Sequence, residues 1–362
     1  MRLPGCVLVG ALLSVPRPSQ GAVTVMVDGG VKYQTIEGFG GSDGWLFAPP
    51  SEHARIFDDL GLSILRIRML RYTEATPDKP GDEAADNDND DPFVINWDGV
   101  NKWAFDAYAP YLKAAKRRGA MVIGTIWCPP AWMLSENLAE TPDNSFKDGY
   151  EEELVEFILI WVKGMQRYHD VHIDSVSVQN EPNYGNTRWP TCRYSAAKLR
   201  DIIRLLGARF ETEEVTTEIH SPDVNSLNGF ATYADTICTD PVASRYVDRL
   251  ATHSYGERFW DPDSAISKWA RARTLADKYG RQLWETEYCN DGGNMGTWAE
   301  APVLAQHLHN ALVHGHVSAW LTYEIYRNPG AGAAALITED GPTPKFYAMK
   351  QYFRYVRPGA VR

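Results

Sequence analysis

Eight short apolar runs rich in β-favouring residues recur along the chain, each followed by a helical or loop-plus-helix stretch. This alternation constrains the fold more than any other feature. The runs are "QTIEGFGGS" (34–42), "SILRIRML" (63–70), "MVIGTIWCPP" (121–130), "SVSVQNEP" (175–182), "VTTEIHSPD" (215–223), "RLATHSYG" (249–256), "QLWETEYC" (282–289) and "VSAWLTYEIY" (317–326). Three glycines make the first the weakest strand of the set. Between the runs, "SEHARIFDDLG" ends in glycine, as helices often do. "EEELVEFILIWVKGMQRYHD" carries acids in its first turn and apolar residues at a spacing near 3.6. "SAAKLRDIIRLLGARFE", "SAISKWARARTLADKYG", "TWAEAPVLAQHLHNALVHGH" and "KFYAMKQYFRYVRPG" follow the same pattern. Strands alternating with helices imply a parallel sheet with right-handed crossovers. Eight such units imply an α/β fold of the closed (β/α)8 TIM-barrel type. An open doubly wound sheet is the alternative. No G-x-G-x-x-G follows the first run, which weakens its dinucleotide-binding version.

The chain has 362 residues, 44% of them hydrophobic, and a net charge of −11. That length suggests two domains, but α/β barrels reach it as one unit. No basic patch offsets the acidic balance, so a nucleic-acid role is not expected. The opening "MRLPGCVLVGALLSVPRPSQGAVTV" has Arg2 ahead of an apolar stretch too short to span a membrane, then small residues near Gly21 and Ala22. It is expected to be an export signal over 1–22, which makes the protein secreted; a greasy, unstructured N-terminus is the other reading. No later segment is a candidate membrane span. Residues 23–33 read as a strand and turn before the barrel, which is expected over 34–359. Cys128, Cys192, Cys238 and Cys289 follow the signal at wide spacings that match no zinc pattern. Cys192 and Cys238 either pair or stay free. The acidic "DEAADNDNDD" (82–91) has the alternating aspartates of a calcium loop. Its sixth position is Asp91 instead of glycine and its twelfth is Trp97 instead of glutamate, so a solvated loop is favoured over a metal site. No metal or cofactor is expected.

Active sites of such barrels lie where strands end on their C-terminal side. Glu181 ends the fourth run and Glu287 the seventh, so the two face each other across the barrel mouth. Two carboxylates about 5 Å apart suit a retaining glycosidase, with one as nucleophile and the other as acid/base. The nucleophile needs a cation or donors to stay ionised; Arg66 is placed to supply one, with His253 and Tyr255 to orient it. Asn180, beside Glu181, suits a hydrogen bond to a sugar 2-hydroxyl. Strict alternation puts Glu285 and Glu287 on one side of their strand, with Glu285 one layer deeper or at the barrel wall. Twelve Trp and eighteen Tyr give the mouth an aromatic rim, including Trp127, Trp132, Tyr184, Trp189, Trp260, Trp298, Trp320 and Tyr323. Trp127 and Tyr255 are the best sugar-stacking candidates. Each residue taken singly also has a plain structural reading; the joint placement of Asn180, Glu181 and Glu287 carries the inference. A non-catalytic carbohydrate-binding barrel does not need both glutamates. A lyase or isomerase would show a lysine or metal cluster at the strand ends.

From Gln34 to Gly359 the chain resembles glycoside hydrolase family 30. The pieces that carry the likeness are "QTIEGFGGS", "GLSILRIRM", "WCPPAWM", "SVSVQNEPNY", "THSY", "LWETEYC" and "FYAMKQYFRYVRPG". The resemblance implies Glu181 as acid/base, Glu287 as nucleophile, Asn180 as the 2-hydroxyl contact and Arg66 as the support for Glu287. It implies a donor-sugar pocket lined by Trp127, His253, Tyr255 and Trp320. Family members act on glucosylceramide, β-1,6-glucans, β-1,6-galactans, xylan and glucuronoxylan. They carry a β-sandwich beside the barrel. Here its N-terminal strand is expected, and its C-terminal strands should begin where the chain stops at Arg362. Tyr323 stands where many relatives place a tryptophan, and Arg327 only loosely matches a residue that reads a glucuronate branch.

Overall fold

The structure, a computed structural model, describes residues 28–44, 47–71, 88–135, 144–185, 190–258, 260–289, 297–327 and 334–362. The expected signal at 1–22, Trp189 and residues 82–87 of the acidic loop lie outside them. The chain divides into Met1–Lys32 and Tyr33–Arg362. In the first unit, residues 28–32 make a turn closed by a bond from the Val31 N–H to the Asp28 carbonyl, 3.2 Å. Of the strand and turn expected over 23–33, residues 28–32 hold this turn, and residues 23–27 lie outside the described residues. Extended pairing begins two residues later, where Thr35 meets Val361 in an antiparallel bridge within the second unit.

Eight parallel strands close into a barrel: β1 (Gly38–Ser42), β2 (Ile64–Arg68), β3 (Met121–Thr125), β4 (Ser175–Ser177), β5 (Glu218–Val224), β6 (Arg249–His253), β7 (Gln282–Tyr288) and β8 (Ala319–Thr322). Each strand pairs with its neighbours in sequence, and β1 pairs with β8. The glycine-rich first run is a strand because the barrel needs close approach there. A Cβ at Gly40 would lie 1.7 Å from the Ile64 carbonyl oxygen. Helices cover the outside: α1 (Trp103–Lys116), α2 (Glu151–His169), α3 (Ala196–Thr212), α4 (Leu227–Cys238), α5 (Ala243–Tyr246), α6 (Ile266–Tyr279), α7 (Glu300–Asn310) and α8 (Pro344–Phe353). The helix expected over 51–61 forms as a 3₁₀ turn at Pro50–Glu52 followed by a π-helical stretch at Ala54–Asp59.

The barrel interior is a small apolar layer of Ile64, Ile123, Ala251, Trp284, Ala319 and Leu321. Neighbouring positions such as Leu65, Val122, Leu250, Leu283 and Trp320 belong to the larger core between sheet and helices. Strand side chains alternate, so the residue two places beyond an interior apolar residue also points inward, one layer nearer the mouth. That rule places Arg66 above Ile64, Thr125 above Ile123, His253 above Ala251 and Tyr323 above Leu321. It sends Trp320 into the wall.

One buried carboxyl in the helix layer has no hydrogen bond and only the charge of Arg209 to offset its burial. Glu156 on α2 is fully buried, and neither carboxylate oxygen has a hydrogen-bond partner. Burial, reinforced by Asp88 and Glu153, pushes its carboxyl up to about 8. An unfolded glutamate titrates near 4.5. The resulting penalty is absent below that value, grows as the pH rises, and is complete above about 8. Glu156→Leu is therefore expected to stabilise the protein by about 1–3 kcal/mol at pH 9 and much less at pH 5. Thermal melts at the two pH values check this; equal effects at both would overturn it.

Candidate active site

Glu181 and Glu287 meet at the mouth of the barrel. One oxygen from each, together with a ring nitrogen of His253, all lie within 4.8 Å of one another. Glu181 is 4% exposed and Glu287 6%, so the pair opens to solvent only at its tip. Glu181 lies four residues beyond the end of β4, in a left-handed conformation with φ of +50°. Its N–H is held by the Asp223 carbonyl at 2.9 Å, and its own carbonyl accepts from the Tyr184 N–H at 2.9 Å. This turn, just before Pro182, aims the side chain. Its Oε1 accepts from Asn225 Nδ2 at 2.8 Å and lies 3.0 Å from His253 Nδ1.

Glu287 arrives through an irregularity in β7. Along β8, Trp320 faces Glu285, yet Thr322 faces Tyr288, so β7 carries one extra residue between them. A bulge of this kind re-aims the side chains that follow it. Strict alternation therefore fails here. Glu285 turns to a hydrogen bond from the Ser254 hydroxyl, and burial raises its carboxyl to about 8. Glu287 instead points to the mouth, where Arg66 Nη1 donates to its Oε2 at 2.5 Å and Tyr255 Oη donates to its Oε1 at 3.1 Å. Burial raises the Glu287 carboxyl, and the nearby Glu181 adds to this. His253 and Arg66 pull the other way, favouring the ionised form.

Arg66 is fully buried and fans out to three acceptors. Besides Glu287, its Nη2 donates to Asn180 Oδ1 at 2.6 Å and to Asp223 Oδ2 at 3.1 Å. The Asn180 carbonyl oxygen is thus engaged, which leaves its amide N–H groups as the end presented to a ligand. The guanidinium stacks on Trp127, 4.7 Å from the ring centroid. The Tyr255 ring meets His253 edge-on at 5.9 Å. Burial alone would lower the His253 pKa, but Glu287, Asp223 and Glu181 outweigh it and hold the imidazole near 10. A divalent cation among these donors would have to displace the guanidinium at 2.5 Å from Glu287 and deprotonate His253. The donor set suits the protein's own cations better than a metal.

The structure thus brings together Glu181, Glu287, Asn180, Arg66, Trp127, His253 and Tyr255. One aromatic expectation needs correction. Trp320 is fully buried in the wall and packs 6.5 Å from the Tyr288 ring instead of lining the pocket. Tyr323 occupies the inward position, and Glu324 and Glu287 reinforce burial in raising its hydroxyl. Trp132 packs edge-on against Tyr150 at 5.6 Å, at the start of α2. Tyr184 is half-buried in the turn after Glu181. Arg327 is taken by Glu324, 2.8 Å away. Cys128, Cys192, Cys238 and Cys289 are all free and buried, so Cys192 and Cys238 do not pair. The residues that sequence reasoning missed are Asp223 and Asn225. An aspartate at the C-terminal end of the fifth run met the same criterion that singled out Glu181 and Glu287.

Fold and site together define a (β/α)8 barrel with paired buried glutamates at its C-terminal mouth. The glycosyl hydrolase family 30 TIM-barrel domain matches residues 54–357, and the chain belongs to that family. The glucuronoxylanase XynC of Bacillus subtilis (strain 168) is 29% identical over 263 residues, covering 69% of this chain and 55% of that protein. The chain thus spans about half the length of this relative. The putative glucosylceramidase 3 of Caenorhabditis elegans is 25% identical over 373 residues, covering 94% of this chain and 70% of that protein. Among solved structures, the family 30 subfamily 8 xylanase Xyn30A of Clostridium acetobutylicum superposes with a TM-score of 0.72 at 22% identity. The match covers 92% of this chain and 76% of that one, and shows a shared fold.

Proposed function

We propose that this protein is a retaining β-glycosidase that cleaves β-linked polysaccharide, with Glu287 as nucleophile and Glu181 as acid/base. The observation that carries the reading is the approach of the two carboxylates to within 4.8 Å. Inverting enzymes hold theirs about 6.5–9.5 Å apart, to leave room for water. In the first step a Glu287 oxygen bonds to the anomeric carbon as the bond to the leaving oxygen breaks. Glu181 gives that oxygen its proton. In the second, water attacks the anomeric carbon, Glu181 takes the water's proton, and the bond to Glu287 breaks. Asn180 offers N–H donors to the sugar 2-hydroxyl, and Trp127 and Tyr255 flank the ring. Exposed Trp260 and Trp298, after β6 and β7, favour a chain laid across the mouth and hence an endo action on xylan, β-1,6-glucan or β-1,6-galactan. We further propose that residues 1–22 direct export.

The similarity to a putative glucosylceramidase favours a second reading, an exo-acting enzyme on a single β-linked sugar. Hydrolysis of xylan, glucuronoxylan, β-1,6-glucan, β-1,6-galactan, glucosylceramide and aryl β-glycosides separates the two by product length. Proton NMR of the first product is expected to show the β-anomer. An α-anomer formed first, or tight binding without cleavage of any substrate, would overturn the proposal.

A further inference from the structure

Asp223 ties the two halves of the site together. It is the extra residue where the β5–β6 register shifts between Pro222 and Val224, and its φ is +58°. This bulge turns a fully buried carboxylate into the barrel beneath both glutamates. Its Oδ2 accepts from Arg66 Nη2 at 3.1 Å and Thr125 Oγ1 at 3.2 Å. Its Oδ1 accepts from the Thr286 hydroxyl and lies 3.3 Å from His253 Nε2, a contact with the geometry of an ion pair. Arg66 leads on to Glu287 at 2.5 Å and His253 to Glu181 at 3.0 Å. The five side chains form one continuous chain in which two cationic groups alternate with three carboxyl groups.

We propose that Asp223 is a positioning residue that keeps His253 a permanent imidazolium, so that the buried site stays neutral throughout the double displacement. The inference rests on the reading of Glu287 as nucleophile and Glu181 as acid/base. Before reaction, Arg66 and His253 balance Asp223 and Glu287, while Glu181 holds its proton. Once the glycosyl ester forms, Glu287 is neutral and Glu181 has given up its proton, so the balance is the same. The single mobile negative charge moves between the glutamates while the two cations stay fixed. Each stage thereby avoids an uncompensated charge in a poorly solvated pocket.

The groups facing His253 agree with this. Asp223 from β5 and Glu287 on β7 favour its charged form, Glu181 beyond β4 accepts from its Nδ1, burial keeps Glu285 on β7 and His220 on β5 neutral near pH 7, and Arg66 on β2 is the nearby cation. Tyr255, two residues beyond the end of β6, holds its hydroxyl proton under the same burial. The ionised Asp223 and Glu287 outnumber the Arg66 guanidinium, and Asp223 contacts His253 on the side away from Glu181. With its imidazole held near 10 against an ordinary 6.5, the charged histidine also stabilises the fold. That stability is fully present below pH 6.5 and is lost as the pH rises through about 10.

The test is NMR titration of histidine-labelled enzyme, with His253 assigned by its disappearance in His253→Gln. In the wild type the imidazole is expected to remain charged up to at least pH 8.5. Titration near the ordinary histidine value would overturn the proposal without recourse to any variant of Asp223. In Asp223→Asn the imidazole is expected to titrate at least two pH units lower than in the wild type. The kcat/KM on an aryl β-glycoside should fall roughly 10²–10³-fold, with the alkaline limb moved toward acid pH. An unchanged titration and limb would overturn the proposal even if activity fell. Should Asp223→Asn fail to fold, Thr286→Val, which removes one donor from Asp223, replaces it with a smaller shift of the same sign expected. Labelling of Glu287 by a 2-deoxy-2-fluoro-β-glycosyl fluoride, read by mass spectrometry, separates the two levels. Labelled Glu287 with a neutral His253 sinks only this inference, whereas no labelling and no hydrolysis sinks the underlying reading.

Discussion

Replacing Glu287 by glutamine is expected to lower kcat/KM on an activated aryl β-glycoside by roughly 10⁴–10⁶-fold, the scale seen when a nucleophile is removed. The amide keeps the shape of the side chain but cannot form the glycosyl ester. It also loses the charge that Arg66 approaches at 2.5 Å, so a buried guanidinium is left with Asp223 as its remaining carboxylate. Using an activated aglycone matters, because departure of that leaving group hardly needs Glu181. The measured loss then belongs to bond formation at the anomeric carbon. Melting curves of the variant establish that it is folded. Activity within tenfold of wild type would refute the assignment, whatever the specificity proves to be.

The barrel itself was legible because its strands are buried on both faces. Such strands read as near-continuous apolar runs, and all eight runs contain one. Even the glycine-rich first run holds a strand, since Gly40 lies against the Ile64 backbone where no larger residue fits. Three helices did not stand out, one of them the four-residue α5. α1 carries Pro110 in its interior, and α4 contains Gly229 with two threonines, so local propensity argues against both and tertiary packing decides. Within the site, Arg66 and His253 follow from the two-residue period of a regular strand. The expectations for Glu285 and Trp320 fail for different reasons. A two-residue period along β7 takes no account of its extra residue, whereas the pocket role of Trp320 came from the family resemblance, and on β8 the inward position belongs to Tyr323. The extra residue in β7 puts Glu285 and Glu287 on different faces, and no local residue pattern announced it. Asp223 satisfies the strand-end criterion in the sequence, although its inward aim depends on a register shift that the sequence does not show.

The leaving-group dependence of Glu181→Ala gives the complementary prediction. Both hydrogen bonds to this side chain fall on Oε1, from Asn225 at 2.8 Å and His253 at 3.0 Å. Oε2 is therefore the atom that carries the transferable proton. Without it, departure of a poor leaving group such as a sugar should slow by about 10²–10⁴-fold. A dinitrophenyl glycoside needs no proton to depart, so its glycosyl-enzyme should still form at a rate near wild type and then accumulate, because water has lost its general base. Azide is nucleophilic without deprotonation and fits the space vacated by the carboxylate. It should restore turnover on the dinitrophenyl glycoside and yield the β-glycosyl azide, since it enters on the face from which the aglycone left. Equal losses on good and poor leaving groups, or no acceleration by azide, would remove Glu181 from the acid/base role. An α-glycosyl azide would remove the covalent intermediate as well, because direct displacement of the aglycone is the route that inverts.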